Sequence, residues 1–460
     1  MRSNTSLPRR SLALRGALAV AWAVVAAPAA GAQPTPFGSS DDPLEAPPPV
    51  FGRPPVTGGI YAGPAFLGSE WTLGIAAEAR GRRGPLHAAL GYTLHLDEDG
   101  VYAPERDELL DLARTVRYVR LEPAVGRRVY VRAGPLQRVE LSTGHLVRGF
   151  GTWAAHDDRA PGIEASASAG AVDAMAFLED VRLGGVAGAQ LAFEPLRRSG
   201  NPRLRAVRLA LAAVHDAGPA GDSSTTAVQA DVRAEAARAG GIALTPWVSY
   251  ARFLNFGQSL GAGADLGSSE LAGTARIRLR AGVFASSDGF QPGYFSPLYH
   301  VANVHDRVVE AYGHYDADTT AAPLAGIPLG DASGGADVVV ELRVLAFGQF
   351  EVFQHLRRHI GAGAQSAYAA RVAYSPRNPD GVRLDLLFER QGFKGVLGLF
   401  GDIGDQNALV LDLDAPLPYG LRLSLRSRYG YERLPDDAGG GRRFLVQRRF
   451  EPLVGVRASW

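Results

Sequence analysis

The final segment of the chain, EPLVGVRASW at residues 451–460, alternates between two kinds of side chain. Every second position is apolar and the positions between are small or polar: Val454, Val456, Ala458 and Trp460 against Gly455, Arg457 and Ser459. A period of two is that of a β-strand with one apolar face. A terminal tryptophan has no special purpose in water, but it is typical of the interface between a membrane and water. The segment therefore predicts a strand with one face in lipid.

The same segment resembles the C-terminal assembly signal of bacterial outer-membrane β-barrels. Gly455 lies five residues before the end, and Ala458 and Trp460 take the third-last and last apolar positions of that pattern. Two positions depart from it, because Ala458 is only weakly apolar and Leu453 stands where a polar residue is usual. The resemblance implies that Gly455, Ala458 and Trp460 form an assembly signal, with the barrel-assembly machinery as a partner.

The first 32 residues predict a secretory signal peptide. Basic residues precede a run of twelve mostly apolar residues, 16–27, and small residues at 30–32 offer a cleavage site before Gln33. The run is too short to span a bilayer as a helix. The pair Arg9-Arg10 could indicate twin-arginine export, but that route carries folded cargo, whereas a barrel must reach its membrane unfolded. An ordinary charged leader is the preferred interpretation.

Charge and cysteine content limit the class of protein. Removing the leader's four arginines from the 48 basic residues leaves 44 against 47 acidic residues, a formal charge of −3. This balance gives no sign of a nucleic-acid partner. The chain has no cysteine, so an exported protein of this size must be held together without disulfides. No later segment reaches the roughly 18 uninterrupted apolar residues of a membrane helix, so any membrane crossing must use strands.

Residues 33–57 contain a dense run of prolines, including Pro47-Pro48-Pro49 and Pro54-Pro55. Proline at this density removes backbone donors and favours extended, unpacked chain. The segment is predicted to be a periplasmic tail or linker, with a plug that enters the barrel as the alternative.

The first clear hairpin lies at residues 71–95. Trp71, Leu73 and Ile75 alternate with small or polar residues, the segment 81–84 predicts a four-residue turn, and a second alternating strand follows. Each strand has nine or more residues, which matches the roughly 9–11 residues that a tilted strand needs to cross the hydrocarbon. Similar alternation recurs at 275–281, 338–345, 367–374, 382–389 and 421–431.

Such strands could also cover the core of a soluble β-sandwich with their apolar faces. Three features favour the membrane: the strands are longer than usual, they continue without a linker, and their apolar faces often end in tyrosine or tryptophan. The sequence thus predicts an all-β fold, a single transmembrane antiparallel up-and-down β-barrel over residues 58–460. Sixteen to twenty segments can be counted, depending on how 116–144, 186–193 and 258–266 are divided. An even number of about 16–18 strands is expected.

Two interruptions stand out in this pattern. Residues 105–114 favour a short helix in a loop, because acidic residues occupy its first turn. Residues 284–337 form the longest stretch without strand periodicity, and such long loops are usually functional or disordered. Its aromatic first part, 289–299, predicts a loop folded into or over the barrel mouth, as in a constriction loop. Its second part, 319–335, is rich in alanine and glycine and is predicted to be mobile.

The residues give little support for catalysis or for a cofactor. The histidines and acids of residues 300–318 fit no recognised metal spacing, and the cluster at 156–159 is similarly expected to be solvated loop. Ser142 and His145 lie close together, but no carboxylate follows in a triad-like pattern. The glycines of 184–188 lack the lysine of a phosphate loop. No enzymatic activity, no metal and no cofactor are expected.

The polar faces of the strands provide the candidate functional residues. A closed barrel would point them into its lumen, where charged side chains set the ion selectivity of a channel. The alternative is that these arginines pair with Glu341, Glu351, Asp385 and Glu389 and fill a narrow interior. The pore-lining candidates are Arg276, Arg278, Arg280, Arg343, Arg383, Asp385, Glu389, Arg422, Arg426 and Arg428.

Taken together, the leader, the hairpin series and the last strand resemble a porin-type outer-membrane barrel of Gram-negative bacteria. Residues 141–146 and 292–299 are also similar to stretches found in poorly characterised porin-like barrels. The resemblance implies a location in the outer membrane, contact with its lipid, and passive diffusion of small hydrophilic solutes or ions. The alternative is a non-conducting surface-assembly or binding barrel that holds a polysaccharide or partner protein on its loops. Nothing identifies a trimer face, so a homo-oligomer stays an open option.

Overall fold

In the computed structural model, the described part of the chain folds into one sheet that closes on itself. The structure describes residues 56–68, 70–98, 100–101, 115–121, 129–152, 161–182, 185–217, 224–239, 241–268, 275–299, 307–309, 332–347, 349–361, 366–376, 381–393, 407–433 and 443–459.

The described residues contain strands of very different lengths and two single helical turns. The strands are β1 (Val56–Leu67), β2 (Glu70–Arg83), β3 (Leu86–Asp97), β4 (Gly100–Val101), β5 (Val116–Leu121), β6 (Val129–Gly134), β7 (Gly162–Ala169), β8 (Val172–Leu178), β9 (Val186–Phe193), β10 (Val207–Asp216), β11 (Thr225–Ala234), β12 (Ala237–Ala239), β13 (Ile242–Phe253), β14 (Gln258–Ser268), β15 (Ala275–Ser286), β16 (Arg307–Val309), β17 (Gly335–Ala346), β18 (Phe350–Ile360), β19 (Ser366–Tyr374), β20 (Arg383–Phe393), β21 (Asn407–Pro416), β22 (Leu421–Arg433) and β23 (Arg443–Ser459). The helical turns are α1 (Pro202–Arg205) and a 3₁₀ turn (Pro418–Gly420).

Twenty of these strands form the wall of the barrel. Each pairs antiparallel with its neighbours in chain order, and β1 closes the ring by pairing with β23 as well as with β2. The short strands β4, β12 and β16 lie beside the wall strands β3, β13 and β23. The predicted antiparallel barrel is confirmed, with twenty strands rather than sixteen or eighteen. The difference arises where the sequence pattern was weakest, because β5, β6, β9 and β14 are each separate strands.

The outer face of the wall is apolar. Along β2 the side chains of Trp71, Leu73 and Ile75 are 64%, 48% and 36% exposed, whereas Thr72 and Ala76 on the opposite face are buried. Exposed apolar side chains recur around the ring, for example Leu211 on β10 and Val283 on β15. A closed barrel with an apolar outer band matches the hydrocarbon of a membrane, and in bacteria such barrels occupy the outer membrane.

The two ends of the barrel differ in their connections. Thr57 of β1 pairs with Ser459 of β23, so the beginning and the end of the wall lie at the same end. That end also carries the tight β2–β3 turn, in which Gly84 adopts a positive φ of 60° and β2 runs to Arg83. The turn is therefore shorter than the four residues predicted. The two longest connections, 135–161 and 287–334, lie at the opposite end, which in outer-membrane barrels is the extracellular end.

Several sequence predictions concern residues outside the described ranges. They are the leader at 1–32, the proline-rich tail up to residue 55, the helix at 105–114, the cluster at 156–159, most of residues 300–331, and Trp460. Among the described residues no helix is long and apolar enough to span a bilayer. Within the same ranges, no three histidine or acidic side chains lie close enough together to hold a metal ion.

Candidate functional site

Two loop segments fold into the lumen and pack against each other. In segment 135–152, Leu141, Leu146 and Phe150 are fully buried, and in segment 288–299 Phe290 and Phe295 are buried too. Backbone hydrogen bonds join the segments: the Arg148 amide donates to the Phe295 carbonyl at 3.0 Å, and the Phe295 amide donates to the Leu146 carbonyl at 3.1 Å. We call the two segments together the plug.

Aromatic side chains attach the plug to the wall of β7–β15. The ring of Phe253 on β13 lies 5.1 Å from that of Phe290 and 5.3 Å from that of Tyr294. The Phe150 ring is 5.6 Å from Phe177 on β8. These separations are typical of favourable aromatic pairs, so this side of the lumen is a packed hydrophobic core.

A buried hydrogen-bond network continues this attachment. Thr143 donates its hydroxyl to Asp231 at 2.9 Å, and His145 Nδ1 lies 2.8 Å from the Ser249 hydroxyl. The Leu146 amide donates to the Gln229 side chain at 3.0 Å. Burial, and then the nearby charge of Arg148, lower the pKa of His145 to about 3, so its imidazole is neutral. Ser142 accepts a hydrogen bond from Arg233 at 2.7 Å, so Ser142 and His145 both belong to interior hydrogen-bond networks.

Buried ion pairs complete the contact between the plug and the wall. Arg280 of β15 is fully buried and donates to Glu140 of the plug at 2.5 Å and to Asp265 of β14 at 2.8 Å. On the other side of the plug, Arg148 donates to Glu341 of β17 at 3.0 Å. Burying charges is unfavourable unless they are paired and hydrogen-bonded, and these groups are both.

The ten pore-lining candidates all lie on wall strands with their polar face inward, but they do not form one site. Arg278, Arg280, Arg343 and Glu389 face the plug or the cavity beside it, and Arg276 precedes Arg278 on the same face of β15. The other five lie nearer the junction of β1 and β23, where they have acidic or hydroxyl partners. Arg422 pairs with Asp414, and Arg428 pairs with Asp412 at 3.2 Å. Arg426 donates a hydrogen bond to Thr93 at 2.9 Å. Asp385 accepts from Arg371 at 2.6 Å, and Arg383 is half-buried.

We call the part of the lumen bounded by β1–β5 and β20–β23 the seam side. Arg457, two residues before the end of β23, bridges Glu78 at 2.7 Å and Asp414 at 2.6 Å. Around this bridge, inward-facing charged side chains are still in contact with solvent, since the side chains of Arg117 and Asp412 are 34% and 40% exposed. Their counterparts against the plug are between 0% and 16% exposed. Arg117 and Asp412 are therefore more exposed than the ion pairs of the plug, while Arg422, Glu451 and Arg457 on the same seam side are as buried as those pairs.

A cavity that opens to solvent lies between the plug and strands β15–β20. Its charged lining consists of Arg138, Arg148, Arg357, Glu389 and Arg390, and Phe284, Phe353 and Tyr368 supply aromatic rings. The cavity adjoins both segments of the plug, through Arg148 of one and Ser296 of the other.

Sequence reasoning missed the interior position of residues 135–152 and the charged residues that act with it. The sequence pattern places part of that stretch among the weak strand candidates at 116–144, but beyond Gly134 it is an inward loop. Its signal was the mixture of apolar residues with Gly144 and Gly149, which have positive φ values of 73° and 65°. Glu140 and Arg148 were not singled out, and neither were the seam-side residues Glu78, Arg117, Asp412, Asp414 and Arg457.

The last strand shows why one residue of the assembly signal must be small. Gly455 of β23 lies opposite Tyr61 of β1, and a Cβ at this position would overlap the Ile60 carbonyl. Ala458 pairs with Gly58, next to the last pair between β1 and β23, Thr57 with Ser459. A role for Gly455, Ala458 and Trp460 in assembly stays a prediction.

No protein-family model matches the chain, and no curated protein sequence matches it significantly. Among solved structures, the outer membrane protein OpdK from Pseudomonas aeruginosa is similar, with 11% identity over 88% of this chain and 98% of OpdK, and a TM-score of 0.30. OccAB2 from Acinetobacter baumannii is 11% identical over 88% of this chain and 98% of OccAB2, with a TM-score of 0.31. Wzi from Escherichia coli, a carbohydrate-binding barrel involved in capsule assembly, is 10% identical over 89% of this chain and 85% of Wzi, with a TM-score of 0.32. Similarity at this level carries no functional conclusion for this chain.

Proposed function

We propose that the protein is a porin-like channel of the outer membrane, through which small hydrophilic solutes or ions diffuse passively along the seam side of the lumen. The observation that supports this best is the solvent exposure of the Arg117 and Asp412 side chains on the inner face, because charged side chains in a barrel interior are favourable where water reaches them. The side chains of Arg80 and Arg428 are also 28% and 22% exposed there.

The charges of the seam side favour anions. Its described inward-facing residues include Arg80, Arg117, Arg120, Arg383, Arg422, Arg426, Arg428, Arg449 and Arg457 against Glu78, Asp97, Asp385, Glu389, Asp412, Asp414 and Glu451, so arginines outnumber acids. An excess of fixed positive charge raises the local concentration of anions in a narrow channel. The proposal therefore moves the selectivity role from Arg278 and Arg280, which hold the plug, to the seam-side arginines.

Single-channel recording in a planar bilayer tests this proposal. Stable ohmic steps are expected, with a reversal potential under a KCl gradient that indicates anion preference. The double substitution Arg117→Gln and Arg428→Gln should move the reversal potential toward cations. Arg238→Gln is the matched control, because Arg238 forms an exposed pair with Glu235 at the turn end of the barrel. An unchanged reversal potential in the double variant would remove these arginines from the conduction path.

The second candidate function is a non-conducting barrel that holds a polysaccharide or a partner protein on its extracellular loops. The extent of the plug favours it, since the lumen beside β7–β15 is a closed hydrophobic core. Electrical silence from protein shown to be folded by heat-modifiable gel mobility would select this alternative over the channel.

A further inference from the structure

The connection between β9 and β10, residues 194–206, is the longest between wall strands at the turn end of the barrel. Its backbone is folded rather than extended. The Glu194 amide donates to the Ala171 carbonyl at 2.9 Å, the Ser199 amide donates to the Leu196 carbonyl at 2.9 Å, and α1 forms the second half. We call residues 194–206 the basal connection. It presents a defined surface at the periplasmic end.

The basal connection carries exposed positive charge without acidic partners. Its sequence contains four arginines and one acid, a net charge of +3. Arg197, Arg198 and Arg205 are exposed, and none of their side chains forms an ion pair or a hydrogen bond with another described residue. In the next connection along this end, by contrast, Arg238 pairs with Glu235 at 2.5 Å. The three arginines therefore have donors available for a ligand.

Exposed apolar side chains accompany these arginines. Leu196 and Leu204 each directly precede an arginine, and they are 41% and 44% exposed. The strands on either side carry Leu191 and Leu211 on their lipid-facing surface, 47% and 55% exposed. Leucines next to arginines at the end of a lipid-facing wall are the combination found at the interface between a membrane and water.

The wall beside the basal connection is short. Strands β7, β8 and β9 have eight, seven and eight residues, fewer than the roughly 9–11 residues that a tilted strand needs to cross the hydrocarbon. A bilayer adapts to a short wall by thinning locally, which brings its headgroups toward the flanking residues. We infer that the basal connection binds the phosphate headgroups of anionic phospholipids in the periplasmic leaflet.

The chemistry of the side chains fits this ligand. The planar guanidinium fork of arginine matches two phosphate oxygens, and the leucines next to Arg197 and Arg205 can contact the acyl chains. One basic residue near an anionic lipid surface accounts for a factor of about five in affinity. An acidic protein of the periplasm could also contact the arginines, but it would leave the exposed leucines unexplained. The inference concerns the outside of the barrel, so it holds for either function proposed above.

Native mass spectrometry of the protein released from detergent micelles tests the inference, because it counts bound lipids and gives their affinities. The probes are phosphatidylglycerol, phosphatidylcholine with the same acyl chains, glycerol phosphate and poly-L-glutamate. The protein is expected to bind phosphatidylglycerol at least tenfold more tightly than phosphatidylcholine. Equal affinity for the two lipids overturns the inference. So does glycerol phosphate binding as tightly as phosphatidylglycerol, which would indicate a site for soluble phosphates, or tighter binding of poly-L-glutamate, which would indicate an acidic protein partner.

Substitutions locate the binding on the basal connection. The triple variant Arg197→Gln, Arg198→Gln and Arg205→Gln should bind phosphatidylglycerol at least tenfold more weakly and phosphatidylcholine unchanged. Lysine at the same three positions keeps the charge and should stay within about threefold of the unsubstituted protein. Arg238→Gln is the control for a paired arginine at the same end and should have no effect.

Heat-modifiable gel mobility establishes that each variant is folded before its affinity is compared. Equal affinity for phosphatidylglycerol in the glutamine variant and in Arg238→Gln would place the lipid elsewhere on the barrel. A loss in the lysine variant as large as in the glutamine variant would contradict attraction by charge. Either result overturns the inference.

Discussion

The bond between Arg280 and the plug gives the sharpest quantitative test of how the lumen is filled. We predict that Arg280→Met lowers the free energy of unfolding, because it removes the common partner of Glu140 and Asp265. Breaking a buried pair typically costs about 3–5 kcal/mol. Arg278 already lies 3.6 Å from each of the two acids, so partial compensation should bring the loss to the lower end, about 3 kcal/mol.

A double-mutant cycle isolates the contribution of the Arg280–Glu140 contact. The cycle combines Arg280→Met with Glu140→Gln, and the expected coupling energy is about 1.5–3 kcal/mol, the range for hydrogen bonds to charged groups. Urea unfolding of protein refolded into lipid vesicles, followed by tryptophan emission, provides the free energies. Arg238→Met, at an exposed pair, should cost no more than about 1 kcal/mol.

Hydrogen exchange supplies the local readout that a general loss of stability would not. The Leu141 and Leu146 amides in the plug should lose protection in Arg280→Met, while the amides of β1 and β2 keep theirs. A coupling energy below about 0.5 kcal/mol, together with unchanged plug protection, would refute the assignment of Arg280 as the residue that holds segment 135–152.

Three further outcomes are expected. Replacing Arg276, Arg278 and Arg280 together by glutamine should shift the reversal potential toward cations if these arginines line the pore. Because Arg278 and Arg280 contact the plug, we expect a destabilised plug and a smaller shift of the reversal potential than for Arg117→Gln with Arg428→Gln. A larger shift would assign ion selectivity to the three arginines of β15. Because the folded-state pKa of His145 is about 3, the unfolded state binds the proton first, so stability should fall as pH drops from about 6.5 toward 3; His145→Asn should flatten that part of the stability profile, and an unaltered profile would contradict the assignment. Gly455→Val should reduce the yield of heat-modifiable barrel in the outer membrane, because its side chain meets the β1 backbone, whereas Val456→Leu on the lipid face should assemble normally.

The alternation of single strands made the wall predictable from sequence. Trp71, Leu73 and Ile75 reveal which face of β2 is exposed without reference to any other strand. The strand number was harder to predict, because β5 and β6 have only six residues each and their pattern blends into the loop that follows.

The interior could not be predicted in the same way, because its contacts join distant parts of the chain. Arg280 and Glu140 are 140 positions apart, and Arg148 and Glu341 are 193 apart. An arginine on an inward face is equally consistent with a pore wall and with a plug anchor until its partner is known. The aromatic composition of 289–299 did indicate a folded loop, since aromatic residues gain most from burial.

The plug separates two properties that a simple barrel combines. The number of strands sets the circumference of the wall, but the plug occupies part of the bore. In the proposed channel, substitutions in segment 135–152 would therefore change which solutes are admitted without altering any lipid-facing residue or any strand register. Solute preference and membrane fit would then vary independently, because different residues determine them.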